Sequence, residues 1–262
     1  MPRFTPWQVL WLYLILATNC TQIMEFEGRF NSCTKVYPDG HLKKTTFNFP
    51  VYNPNGLYTE KKERINFCKD KNETRSDSLK RGIDKVYDIA FINDFTYFVT
   101  FTLDKRKIDR YDYKEICSKL KNWLKNSVQR NDCIYLIVPE LHEDGAVHFH
   151  GLISGNFNLH DSGLKYKGRI IYSLKNWHYG FTTCIELDDN KVATASYICK
   201  YITKDTKRLL GNLYYSGGKG LKREVPKVYD NISYYQAIGN EYQITNTGLK
   251  VKYYEVFENE EN

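Results

Sequence analysis

The residues able to do chemistry fall in two short stretches. The first is HFH at 148–150. If this run is a strand, His148 and His150 project from one face while Phe149 packs behind them. Glu140 closes the apolar run just upstream, and a tight hairpin through HEDG at 142–145 would lay its carboxylate beside His148 or His150. One carboxylate and two neutral imidazoles form a facial set that leaves positions open on Mg²⁺ or Mn²⁺ for phosphate oxygens and water. Zinc accepts the same ligands, but no HExxH helix is present, and His142 and Glu143 read as loop residues. Taken alone, HFH reads by default as two exposed histidines on a strand, and Glu140 and the second stretch are what favour a metal site.

The second stretch is SYICKYITKD at 196–205. On a helix Tyr197 and Tyr201 share a face, and Lys200 and Lys204 each stand three residues after a tyrosine. A phenol titrating near about 10 is a poor nucleophile at neutral pH. A phosphoryl-transfer tyrosine therefore gains from a nearby ammonium and from a metal polarising the phosphate. The plainer alternative is a basic amphipathic helix with its tyrosines half buried.

Both stretches need a scaffold. TYFVTFTLD (96–104) alternates aromatic or β-branched residues with threonine and reads as a buried strand. Apolar residues at 113, 116, 117, 120, 123, 124 and 128 follow helical spacing and pack one face on a sheet. CIYLIVPE (133–140) and AVHFHGLIS (146–154) read as core strands joined by the HEDG turn. After a polar loop, GFTTCIEL (180–187) reads as a further strand and VATASYICKYITKD (192–205) as a helix. This order predicts an α+β fold, an antiparallel sheet with helices packed on one face. Residues 25–90 read as short strands and loops, with turns at YPDG (37–40) and NPNG (53–56), then a charged, partly helical stretch from Glu60 to Lys85.

FVTFTL (98–103), HFH with Glu140 upstream, and the Tyr-x-x-Lys helix at 197–204 stand in the order and rough spacing of the three motifs of HUH endonucleases. The chain thus resembles the Rep proteins that start rolling-circle replication in plasmids, phages and single-stranded DNA viruses. The doubled YICKYITK is most similar to two-tyrosine members such as microvirus gene A-type proteins. The resemblance covers residues 94–205 and extends toward the basic GGKGLKR stretch. It implies a ferredoxin-like or RRM-like core with Mg²⁺ or Mn²⁺ on His148, His150 and Glu140. It also implies Tyr197 as the nucleophile that leaves a 5′-phosphotyrosine link, Tyr201 as the alternate nucleophile, and Lys200 and Lys204 steadying the phosphate or phenolate. The partners implied are single-stranded DNA at an origin and a host helicase and polymerase in a bacterial cytoplasm, with no stable membrane partner. A relaxase or transposase would share this chemistry. A non-catalytic RRM-like nucleic-acid-binding module would keep the sheet and lose the metal, and a zinc hydrolase is a more distant alternative.

The remaining features bound these readings. The chain has 262 residues and a formal charge of +7, weak by itself as a sign of an anionic partner. Basic residues concentrate between Lys191 and Lys227, where only Asp205 and Glu224 oppose them. In that stretch Lys207, Arg208, Lys219, Lys222 and Arg223 are candidates for phosphate contact, with Tyr214 and Tyr215 available to stack bases. Gly217-Gly218-Lys219-Gly220 does not complete G-x-x-x-x-G-K-S/T, which argues against a nucleotide-driven motor. Seven cysteines without a CxxC pair suit a reducing compartment rather than a disulfide scaffold or zinc ribbon. WQVLWLYLILA (7–17), directly ahead of Met24, reads as a mis-assigned start region, with a leader or a buried strand as alternatives. The expected organisation is therefore 1–23 leader or start region, 24–93 polar extension, 94–227 endonuclease domain with basic segment, and 228–262 C-terminal extension ending in an acidic tail.

Overall fold

A computed structural model describes residues 29–52, 76–202, 212–231, 233–237, 239–243 and 250–256. In chain order the elements are β1 (Arg29–Val36), β2 (Leu42–Tyr52), α1 (Ser76–Ile92), β3 (Tyr97–Leu103), α2 (Tyr113–Asn131), β4 (Ile134–Leu141), β5 (Val147–Ser154) and β6 (Leu159–Tyr166). They continue with β7 (Arg169–Leu174), β8 (Gly180–Glu186), α3 (Lys191–Cys199), β9 (Tyr215–Gly217), β10 (Lys227–Asp230), β11 (Asn240–Gln243) and β12 (Lys250–Val256). Two open antiparallel sheets and three helices among the described residues make the class α+β, as the segment pattern predicts. Two compact units divide the chain: Asn66–Glu224, and Met1–Ile65 with Val225–Asn262.

The unit made from both chain ends carries a sheet in the order β10-β1-β2-β12-β11. YPDG turns as expected. Tyr37 N donates to His41 O at 2.9 Å and Gly40 N to Tyr37 O at 3.0 Å, with Gly40 in the left-handed region at φ 86°. The WQVLWLYLILA segment, Met24, NPNG and residues 257–262 of the acidic tail lie outside the described residues, whereas Glu255 belongs to β12.

The Asn66–Glu224 unit carries the sheet order β6-β7-β8-β3-β5-β4-β9. Its long core strands sit where apolar alternation puts them. Helix α2 follows its predicted spacing and buries Ile116, Cys117, Leu120, Trp123 and Leu124. Asp112 caps its start by accepting from Glu115 N at 2.9 Å, and Asp132 in the left-handed region ends it. Phe101 meets Trp123 at 5.0 Å and Trp177 at 4.8 Å, both edge to face, in a core that also holds Val99, Leu103, Phe149 and Ile153. Each such aromatic pair adds about 0.5–1.5 kcal/mol beyond its buried area. Burial pushes the Cys133 and Cys184 thiols up to about 12, which leaves them as packing groups.

The polar stretch after β5, expected as a loop, is instead the β6–β7 hairpin. Strand β6 exposes nearly every side chain, so it lacks the alternation that marks a half-buried strand, and pairing with β7 alone orders it. The charged stretch before β3 is helical from Ser76 onward, as α1. Helices α1 and α3 pack on each other, with α1 reaching β4 and α3 reaching β5. They stand on the sheet face opposite α2, because Phe98, which α3 meets, alternates with Val99 and Phe101 of the α2 core. Among the described residues no helix is long and apolar enough to cross a membrane.

Candidate active site

Cross-strand register assembles the site. Glu140 of β4 pairs directly with His148 of β5, and His148 in turn with Thr102 of β3; the next row holds Val138, His150 and Thr100. Directly paired residues share a face, so Glu140, both histidines and both threonines point the same way. Gly151, paired with Ile137, leaves room for that side chain, since a Cβ there would meet Ile137 Cδ1.

His150 is the centre. Its Nε2 lies 2.7 Å from Glu140 Oε2 and its Nδ1 3.2 Å from Thr100 Oγ1. Burial holds its imidazole below the ordinary range even with the carboxylate beside it. His148 is pushed down to about 4, first by burial and then by the neighbouring His142 and His150. Both rings are therefore neutral at pH 7, the form that ligates metals.

His142 belongs to this group. Its ring centroid is 3.8 Å from that of His148, and its Nε2 is 3.9 Å from Glu140 Oε2. It is a turn residue, as its place in HEDG predicts. The hairpin turn, closed by Gly145 N donating to His142 O at 2.9 Å with Gly145 at φ 83°, returns it to the site. Phe98, which opens the FVTFTL motif, also lines the site: its ring lies 6.1 Å from His150, 5.2 Å from Tyr197 and 6.3 Å from Tyr201.

The tyrosines come from the end of α3. Asn190 caps that helix by accepting from Ala193 N at 2.9 Å, and Ala195 and Ile198 are buried. The regular helix stops at Cys199, short of the expected 205, and tightens into a final turn in which Lys200 N donates to Tyr197 O and Ile202 N to Cys199 O, both at 3.1 Å. This turn lays Tyr201 flat on His150, with centroids 3.7 Å apart and planes 11° apart. Tyr201 Oη donates to Tyr197 Oη at 2.9 Å. Burial, and then its bond to Tyr197, raise the Tyr201 phenol above the ordinary range. Tyr197 is 46% exposed, with Lys200 Nζ 5.4 Å from its ring centroid.

The donor chemistry suits a divalent cation: two neutral imidazoles and a half-exposed carboxylate on one face. The side-chain conformations do not yet converge. Among the described residues no group of three or more His, Cys, Asp or Glu is placed to hold a metal ion, and Glu140 and His150 face each other instead. Ligation would need Glu140 to turn from His150.

The candidate DNA-binding residues lie elsewhere. Lys219, Lys222 and Arg223 follow β9, which pairs with Tyr135–Ile137, toward the end of β4 away from Glu140. Arg223 Nη1 donates to Ser216 Oγ at 2.6 Å, and Lys222 N donates to Asn93 Oδ1 at 2.8 Å. Lys204, Lys207 and Arg208 lie outside the described residues.

No curated protein and no solved structure gives a match to the chain. Residues 96–206, less than half of the chain, match the family described as Replication-associated protein ORF2/G2P. That stretch runs from the start of β3 through Tyr201 and contains Glu140, His148, His150 and Tyr197, and its likeness to replication-associated proteins supports a replication-associated function.

Proposed function

We propose that this protein initiates rolling-circle DNA replication by nicking and rejoining single-stranded DNA through a tyrosine. The observation that carries the reading is the stacking of Tyr201 on His150, which brings two hydrogen-bonded phenols to a His/His/Glu group. His148, His150 and Glu140 would hold Mg²⁺ or Mn²⁺, which when bound polarises the scissile phosphate and offsets its charge. Tyr197 Oη attacks phosphorus, the bond to the 3′ oxygen breaks, and the phenolic proton is passed to that oxygen. The products are a 5′-phosphotyrosine and a free 3′-OH able to prime a host polymerase behind a host helicase.

The environment ranks the tyrosines. Tyr197 is the exposed phenol, accepting a hydrogen bond from Tyr201 with the ammonium of Lys200 near its ring, while burial holds Tyr201 in its neutral form. Tyr201 is the second nucleophile, which cuts again after one round so that the strand is rejoined as a circle. Lys200 and Lys204 steady the phosphate, and Lys207, Arg208, Lys219, Lys222 and Arg223 hold the DNA backbone. The antiparallel sheet with its site on one face supports a ferredoxin-like or RRM-like core, and the work is assigned to a bacterial cytoplasm.

A denaturing gel tests this. Purified protein is incubated with labelled single-stranded oligonucleotides tiled across its own replicon, with Mn²⁺ or EDTA. The expected result is a metal-dependent covalent adduct, much reduced in Tyr197→Phe, retained in part in Tyr201→Phe and missing from the double variant. No adduct on any oligonucleotide, with DNA binding intact in every variant, replaces the reading with a non-catalytic nucleic-acid-binding module, which the open, threonine-lined sheet face beside the site also favours.

A further inference from the structure

The site does not end at the histidines. On the row that pairs Glu140, His148 and Thr102, the next residue is Phe181 of β8. A phenylalanine on a sheet face is usually covered, but Phe181 is 62% exposed. Thr183, on the next row beside Thr100, is exposed as well, and Ile185 behind it is half-buried. Helix α3 reaches β5, and among the described residues neither α1 nor α3 makes more than slight contact with β8. The uncovered half of the face therefore begins one strand from the paired threonines, about 10 Å, or two strand spacings, from His148.

The same end of the sheet is positively charged. Strand β3 runs out at Leu103, opposite Gly180, and the turn that follows carries Lys105, Arg106 and Lys107, all exposed. Gly180 allows this close approach, because a Cβ there would collide with Thr102 O. Asp104 N donates to Tyr179 O at 2.9 Å, which fixes the turn beside the residues leading into Phe181. Arg106 is held in place by Asp104, with Nη2 2.7 Å from Oδ2 and Nε 3.1 Å from Oδ1. Lys105 and Lys107 carry the remaining charge of the turn.

An exposed aromatic ring, a row of hydroxyls and a basic rim together match one kind of ligand, a strand of unpaired nucleotides. The ring offers a stacking surface to any base, and the lysines meet phosphates. We propose that Phe181, with Thr102 and Thr183 and the Lys105–Lys107 turn, forms a subsite that stacks a base of the single-stranded DNA flanking the scissile phosphate. The proposal rests on single-stranded DNA being the partner in the reading above. It places the strand at the Glu140 end of the sheet, whereas the Lys219–Arg223 loop lies toward the other end.

Fluorescence anisotropy of the full chain with a labelled oligothymidylate in EDTA, followed over a salt series, tests it without relying on cleavage. Phe181→Ala is expected to weaken binding about tenfold, with Phe181→Tyr near wild type. Joint replacement of Lys105 and Lys107 by Ala lowers the slope of log affinity against log salt by up to about 0.7 per charge removed. Because Phe181 is exposed, circular dichroism and the unfolding midpoint of Phe181→Ala should match wild type. A wild type that binds the oligonucleotide and forms the covalent adduct, while Phe181→Ala binds equally well, overturns the subsite and leaves the nicking reading standing. Normal binding that depends on Phe181 without any adduct does the reverse. Loss on duplex DNA or RNA as large as on single-stranded DNA, or no oligonucleotide binding by wild type, overturns the subsite.

Discussion

The two faces of the seven-stranded sheet are made by the same strands and do opposite work. On the face under α2, Val99, Phe101, Leu103 and Phe149 are sealed with Trp123 and Trp177 in a dry aromatic core. On the other, the alternate residues Phe98, Thr100, Thr102, His148 and His150 meet two tyrosines and a carboxylate, and half of that face stays open. The lesson is that a period of two lets neighbours in sequence serve the core and the candidate site separately. The core face can be packed tightly enough to hold side chains on the other face to a fraction of an ångström, as reactive groups require.

Neighbouring substitutions break that comparison most sharply. Phe149→Ala should cost about 3–5 kcal/mol of stability, seen as a lower denaturant midpoint, because it opens a cavity in the core. His150→Ala, one residue on, should abolish metal-dependent cleavage at a stability cost below about 2 kcal/mol. Similar destabilisation by both would mean that the faces are not separable. Thr100→Val comes next. It removes the hydroxyl beside His150 Nδ1 while keeping the shape, and should raise the Mn²⁺ needed for half-maximal cleavage about tenfold, with an unchanged unfolding midpoint.

Lys200→Ala should slow adduct formation about two- to fivefold, in line with an exposed cation beside an aromatic ring. A rate equal to wild type would remove Lys200 from the chemistry.

The remaining prediction concerns stability against pH in EDTA. His148 and His150 have folded values below the ordinary 6.5, His148 at about 4, so the unfolded chain binds more protons between those limits. Their contribution is fully present above pH 6.5 and is lost as pH falls toward 4. The unfolding midpoint should therefore drop between pH 7 and pH 5, and the drop should shrink in the His148→Ala/His150→Ala double variant. A midpoint equally pH-dependent in wild type and double variant would show these rings to be ordinary solvated histidines.

Much of the site could be read from spacing. His148 and His150 had to share a face if 147–154 was a strand, and Glu140 had to approach them if HEDG was a tight turn; both conditions hold. Tyr197 and Tyr201 had to be neighbours four apart, and they are hydrogen-bonded. His142 and Phe181 were not legible as site residues, since nothing local distinguishes a turn histidine or a strand phenylalanine that meets the site from one that does not. The β6–β7 hairpin escaped for a related reason: its order comes from pairing rather than from apolar alternation.

By itself, then, the sequence determined the α+β class, core strands over 96–104, 133–140 and 146–154, each matched to within a residue at either end, the α2 face and the choice of candidate site residues. These follow from short-range periodicity and from the chemistry of single residues. Tertiary structure alone decided that Tyr201 lies flat on His150, that Glu140 faces His150, that Lys219–Arg223 lie away from the histidines, and that Phe181 stands uncovered next to Thr102. Those outcomes depend on strand order and on which elements cover a face, and both are settled by competition among contacts distant in sequence.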